Sequence, residues 1–347
     1  MPKRQYSNRE VNRAGEMLKN LASGEEALHA DEVLTYWRYI HLPVINTFQA
    51  MLRQKLKSDF DNGFISQRLK RRSSIVSKLI RPGNESKQLS TMQDIAGIRA
   101  VVDNLDDVWR LTRLLGSHSK HKRRKFQDYI SSPKSDGYRG VHFVFEYTTP
   151  TQPESIGLKI EVQIRTQLMH AWATAVETVG TFTGNSLKSG EGPSQDLDFF
   201  KIAGDAIASL ESTNILHFSK ADTDLLNTVV EQYNALGIKE KWKAYQQVIQ
   251  SIPGSTGKQN KKYFLIILDI KRGITKVTSF SPKEVSMANR MYTQYERSFG
   301  NDPDMQIVLV SVDQIDALRR AYPSFFLDGM AFLKIMDNMT ETIRGGS

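Results

Sequence analysis

Asp94 opens the apolar run Ile95-Ala96-Gly97-Ile98 with Arg99 behind it, and Glu161 lies inside the alternating stretch Leu158 to Thr166. Two such carboxylates with cations close by are what magnesium-dependent group transfer from ATP requires. In the alternating stretch Glu161 shares a face with Lys159, Gln163 and Arg165, while Ile160, Val162 and Ile164 turn the other way into core. A polar face on an otherwise buried strand reads as the lining of a site. Gly97 lets a ligand approach the backbone closely, although Asp94 also has a plainer reading as a turn or helix-cap aspartate. Arg68, Lys70 and Lys78 are spaced to converge on a triphosphate from a strand end and the first turns of a helix. Taken alone they equally describe a solvated basic face. In Gly137-Tyr138-Arg139-Gly140-Val141-His142, a tyrosine on a glycine-flanked turn offers a ring for stacking on a purine or an RNA base, unless it packs on its own loop. His142 and His170 read first as packing or hydrogen-bonding histidines and second as bases. The run Lys120-His121-Lys122-Arg123-Arg124-Lys125 is either solvated or a contact for a phosphodiester backbone.

Ser7-Asn8-Arg9-Glu10 is a capping box ahead of helical spacing, and a second helical region runs from about Asp31 past Pro43, which kinks or divides it. Arg68 to Leu79 passes from strand to helix, with Ser73 or Ser74 near the helix start. Strand Ile95 to Val102, helix Leu105 to Leu115, and hairpin strands Val141 to Tyr147 and Leu158 to Ile164 follow. Helical spacing returns over Thr166 to Gly180, Phe199 to Glu211 and Thr223 to Ile249, with a polar loop from Thr183 to Ser194. The stretch 253–262, Pro253 to Lys262, is a linker between a unit at 1–252 and a compact unit at 263–347. The latter reads as strands Tyr263 to Ile270 and Thr275 to Phe280, helix Lys283 to Phe299, strand Gln306 to Val312, helix Gln314 to Ala321 and a final helix ending near Met339.

The 347 residues suit about two domains. Lys plus Arg number 47 against 38 Asp plus Glu, a formal charge of +9 that favours polyanionic partners without choosing among nucleotides, RNA and an anionic membrane surface. The absence of cysteine excludes disulfides and thiolate zinc sites and fits a reducing cytoplasm. The polar N-terminus lacks the apolar core of a signal peptide, and no apolar run is long enough to cross a bilayer.

From about Arg68 to Glu177 the motifs Arg-x-Lys with Ser and Lys following, Asp-Ile-Ala-Gly-Ile-Arg, Asp128-Tyr129-Ile130 with Pro133-Lys134 leading into Gly-Tyr-Arg-Gly-Val-His, and Glu-Val-Gln-Ile-Arg-Thr together resemble the synthetase domain of the RelA/SpoT family; Trp37-Arg38 also fits. The resemblance implies an α+β fold, a nucleotidyltransferase-like mixed β-sheet flanked by helices, with a smaller α/β domain after it. It implies that Asp94 and Glu161 hold Mg²⁺, that Arg68 and Arg99 contact adenine, that Lys70, Ser74 and Lys78 hold the ATP phosphates, and that Tyr138 stacks on the acceptor base. On the acceptor side it places Arg139, His142, Gln163 and His170, with Lys122, Arg123 and Arg124 alongside. The reaction implied is attack of an acceptor 3′-hydroxyl on the β-phosphorus of ATP with loss of AMP, and Glu161 helping to deprotonate the hydroxyl. No His is followed by Asp, so the His-Asp hydrolase of the long family members is missing, and a further domain follows Lys262. That architecture resembles the fused toxin–antitoxin synthetases of the CapRel type, which are held inactive by a C-terminal domain until a capsid-like phage protein binds. The acceptor there is the tRNA 3′ end; the alternative is a free nucleotide such as GTP or GDP, giving (p)ppGpp or ppApp. The aromatic element that blocks the adenine site in that group is matched here by Tyr322 and Phe325, or by Tyr292 and Tyr295, which fit the letters but fall within a regular helix.

Overall fold

The computed structural model describes residues 4–20, 23–81, 86–118, 120–183, 194–212, 219–239, 263–269, 274–299, 305–311 and 330–345, with a few single positions between them. The expected linker, the helix expected at 314–321 and the Tyr322/Phe325 pair lie outside the described residues.

Helix α1 (Asn8–Lys19) starts on the expected capping box: the Glu10 amide donates to Ser7 Oγ at 3.3 Å and the Ser7 amide donates to Glu10 Oε2 at 2.7 Å. The region running past Pro43 is two helices, α2 (Gly24–Tyr39) and α3 (Leu42–Asp59), because Pro43 occupies the first turn of α3, where its missing N–H costs nothing. Then come β1 (Phe64–Leu69), α4 (Arg72–Ile80), β2 (Ala96–Val102), α5 (Leu105–Gly116), β3 (Lys122–Asp128), β4 (Val141–Glu146), β5 (Lys159–Thr166), α6 (Gln167–Thr183), α7 (Ser194–Ser212) and α8 (Lys220–Ala235). The C-terminal stretch adds β6 (Tyr263–Asp269), β7 (Ile274–Phe280), α9 (Val285–Phe299), β8 (Met305–Ser311) and α10 (Met330–Gly345).

The fold is α+β, with a mixed sheet flanked by helices. Strand order is β3-β4-β5-β2-β1-β8-β6-β7; β2 and β5 run parallel and every other pair antiparallel. Register fixes the faces. Ile98 pairs with Val162, and Val162 with Phe143, so these apolar residues share the back face, in one core with Val44, Phe48 and Leu52 of α3. Gly97 pairs with Glu161 and Arg99 with Gln163, which sets the polar residues together on the front face. A second core, around Trp172, Phe199 and Phe200, joins α6, α7 and α8.

Two features of the C-terminal stretch tie it to the rest. Strand β8 pairs with β1 at Arg68↔Val310, so β6, β7 and β8 prolong the sheet that carries the front face. Helix α10 buries Phe332, Met336 and Met339 in the core of α6, α7 and α8. The boundary expected at residue 262 is therefore crossed by a continuous sheet and by a shared core.

Candidate active site

Asp94 stands just ahead of β2, where Lys70 at the end of β1 and Lys78 on α4 reach it: their Nζ atoms lie 3.0 and 2.7 Å from Oδ2. Burial alone would raise the Asp94 pKa, but the two ammonium groups outweigh it and hold the carboxyl at about 2. Its other oxygen, Oδ1, is buried with no hydrogen-bond partner among the described residues. Lys87 and Lys125 add to the positive field here; burial lowers the Lys87 pKa and the neighbouring Lys78 lowers it further. Ser74 lies on the first turn of α4, and Arg68 pairs with Gly97 across β1 and β2.

The second carboxylate closes a ring of side chains. Arg165 Nη2 donates to Gln163 Oε1 at 2.8 Å, Gln163 Nε2 donates to Glu161 Oε2 at 2.8 Å, and His142 Nδ1 meets Glu161 Oε1 at 3.1 Å. The Tyr138 hydroxyl contacts His142 Nε2 and accepts from Arg165 Nε at 3.1 Å, which completes the circuit. Burial lowers the His142 pKa, so the imidazole is neutral near pH 7. The one tautomer that serves both neighbours carries the proton on Nδ1 for Glu161 and accepts the Tyr138 hydroxyl at Nε2. Burial pushes Glu161 up, but the hydrogen bonds from His142 and Gln163 prevail and hold it at about 2.

The glycines of the Tyr138 turn are required by its shape. Gly137 has φ +87°, and a Cβ there would meet backbone atoms of Lys201 on α7 at 3.0 Å; Gly140 has φ +147°, with the Tyr138 hydroxyl oxygen 3.2 Å from any added Cβ. The turn thus lies against α7 and folds Tyr138 inward.

That inward fold changes the expectation of a ring projected for stacking. Tyr138 is 8 % exposed, and both Arg165 and Lys134 stand 4.8 Å from its ring centroid. A base can stack there only where one of these cations gives way. Arg139, expected at the acceptor, instead binds Asp205 at 2.8 Å and the Gly137 carbonyl at 3.1 Å, anchoring the turn to α7. His170, on the first turn of α6, sits edge-on to Phe64 and is buried. Lys122 and Arg123 lie exposed on the edge strand β3; Arg124, also there, pairs with Glu146. Arg165 and Lys134 received no role from the sequence, although Arg165 shares the face of Glu161 and Gln163 and Lys134 belongs to the motif ahead of the turn.

Magnesium fits this donor set. The ion keeps several waters and is held by one or two carboxylates together with substrate phosphates, and Asp94 offers an unengaged buried oxygen close enough to Glu161 for the two charges to repel.

Residues 67–180 match the family model described as a region found in RelA / SpoT proteins. The GTP pyrophosphokinase YwaC of Bacillus subtilis is 36% identical over 110 residues, covering 31% of this chain and 52% of that protein. The GTP pyrophosphokinase YjbM of the same organism is 32% identical over 123 residues, 35% of this chain and 58% of that protein. The chain thus spans little more than half the length of the curated relatives it matches. The crystal structure of the small alarmone synthetase 1 from Bacillus subtilis bound to its product pppGpp aligns at 26% identity and a TM-score of 0.44, over 50% of this chain and 92% of that one.

Proposed function

We propose that this chain is an ATP-dependent pyrophosphokinase that moves the β,γ-pyrophosphate of ATP to the 3′-hydroxyl of a guanine nucleotide. The observation that carries the reading is the pair of electrostatically coupled, ionised carboxylates, Asp94 beside a lysine cluster and Glu161 beside the Tyr138 turn. The RelA/SpoT region and the GTP pyrophosphokinase relatives support it.

In this reading Lys70 and Lys78 leave Asp94 for the ATP phosphates, with Ser74 beside them and Arg68 and Arg99 toward adenine. Asp94 and Glu161 hold Mg²⁺, which when bound would neutralise charge developing on the phosphates. The acceptor hydroxyl gives its proton to Glu161 as its oxygen forms a bond to the β-phosphorus, the bond from that phosphorus to the α,β-bridging oxygen breaks, and AMP departs with the electron pair. Lys134 withdraws from the Tyr138 ring as the acceptor base arrives.

A second reading, a toxin acting on the tRNA 3′ end in antiphage defence, draws on one observation: Lys122, Arg123 and Lys125 lie exposed along an edge strand, as a phosphodiester backbone requires. There a capsid-like phage protein would engage the C-terminal stretch and release the enzyme. The relatives favour the free nucleotide. Incubation with γ-labelled ATP and either GTP or deacylated tRNA tests both: label on GTP alone supports the first reading, label on tRNA alone replaces it, and label on neither removes both.

A further inference from the structure

Behind β1, on the sheet face opposite Glu161, a cavity of about 110 Å³ lies in the seam between the N-terminal helices and the C-terminal stretch. Its apolar walls come from both, Leu42 and Ile45 of α3 and Leu69 of β1 on one side and Tyr263 and Val285 on the other, while Thr35, Asn46, Asn289 and Thr293 add polar lining. Gln67 also lines it. This side chain is 5 % exposed, and its Oε1 has no hydrogen-bond partner among the described residues. Arg38, a further wall residue, is 8 % exposed; its Nη2 donates to the Tyr292 hydroxyl and it faces Glu296 at 4.0 Å, while Nε has no partner among the described residues.

A buried acceptor and a buried donor left unmatched at one cavity each carry a desolvation cost, which a ligand supplying both complements would relieve. The formal charge of Arg38 is met by Glu296, so the occupant is neutral. The volume is close to that of apolar cavities that admit a single benzene ring. We infer that this seam is a binding site for a small neutral aromatic molecule bearing one hydroxyl group, which donates to Gln67 Oε1 and accepts from Arg38 Nε while the ring lies against Leu42, Ile45, Leu69, Tyr263 and Val285. Because the walls belong to both parts of the chain, such a ligand binds the joined arrangement and stabilises it. The inference stands apart from the proposed reaction, since none of the residues that support it lies on the front face.

The test uses the full chain with phenol and toluene, which match in size and differ in the hydroxyl. Phenol should raise Tm with concentration and bind about tenfold more tightly than toluene, the factor expected of one net buried hydrogen bond. Gln67→Met keeps the side-chain length and should weaken phenol, which then keeps only its contact with Arg38 Nε, without moving the toluene affinity. Val285→Trp, which fills the cavity from α9, should abolish both, and phenol should slow amide exchange along β8 in wild type only. Equal binding of phenol and toluene by wild type overturns the assignment, as does the absence of binding by either. Phenol affinity that survives Val285→Trp overturns it too; these readouts do not require the Gln67 variant to fold.

Discussion

Glu161 is held by two hydrogen bonds and Asp94 by two ammonium groups, so both carboxylates are ionised well below neutrality, and that state has two measurable consequences. Asp94→Asn or Glu161→Gln keeps shape and removes the charge that would hold Mg²⁺, so each should abolish transfer from labelled ATP while far-UV circular dichroism is retained. A folded variant that still labels its acceptor at the wild-type rate removes the metal assignment. The second consequence is in stability. A carboxylate with a folded-state pKa below its unfolded value stabilises the fold above the unfolded value, near 4, and loses that contribution as pH falls through about 2. Roughly 2 kcal/mol from Asp94 and roughly 3 kcal/mol from Glu161 should therefore disappear between about pH 4.5 and 2. Denaturant titrations across that window should show a shallower pH slope for Asp94→Asn than for wild type. The two carboxylates were legible because each stands at a fixed place in a strand pattern. Lys134 was not, because its position over Tyr138 depends on a turn folding back against α7, a tertiary event that leaves no periodic trace.

Strand β3 shows where pattern reading stops at the level of elements. Its sequence Lys-Arg-Arg-Lys-Phe-Gln-Asp has no apolar alternation, because an edge strand with both faces near solvent needs none, and cationic edges block further pairing. By contrast β5 was readable from its alternation and the break between α2 and α3 from Pro43. Helix α7 carries a prediction of its own. Near its end Glu211 is half-buried, and desolvation of its carboxyl raises its pKa to about 7, only partly offset by a hydrogen bond from Thr166; Oε2 has no partner among the described residues. Here the sign is reversed. A carboxyl with a raised folded-state pKa costs nothing below about 4.5, and the cost grows as pH climbs through 7, reaching roughly 3 kcal/mol at pH 8. Glu211→Gln should then stabilise the protein by about 1–3 kcal/mol at pH 8 and by nearly nothing at pH 4.5. A gain independent of pH would show that titration of Glu211 is not its source.

At the scale of the whole molecule, the strands and helices after residue 262 were readable one by one, whereas their attachment was not: strand partners far apart in sequence are chosen by shape and edge availability. The result constrains how regulation can be tested. Removing everything after residue 262 would strip Phe332, Met336 and Met339 from the core of α6, α7 and α8, so loss of activity in such a chain would report unfolding rather than control. The grip of α9 on the catalytic part is narrower and can be loosened alone. Tyr292 is buried, its hydroxyl accepts from Arg38 Nη2, and its ring lies 4.7 Å from that guanidinium. Glu296 accepts from the Arg72 amide at 3.2 Å, at the start of the helix that carries Ser74 and Lys78. Through these contacts α9 acts on α2 and α4, and a route to autoinhibition through Tyr292, which belongs to the less favoured of the two expected aromatic elements, becomes indirect: a joined state that fixes α4 with its lysines on Asp94. Under that proposal Tyr292→Ala with Glu296→Gln weakens the joined state, shifts the population toward an open one and raises ATP turnover by about tenfold or more, with α10 still in place. Single-turnover transfer to GTP, compared with wild type at matched folded fraction, checks it. Unchanged or lower turnover in a folded double variant would assign α9 a purely structural role in extending the sheet.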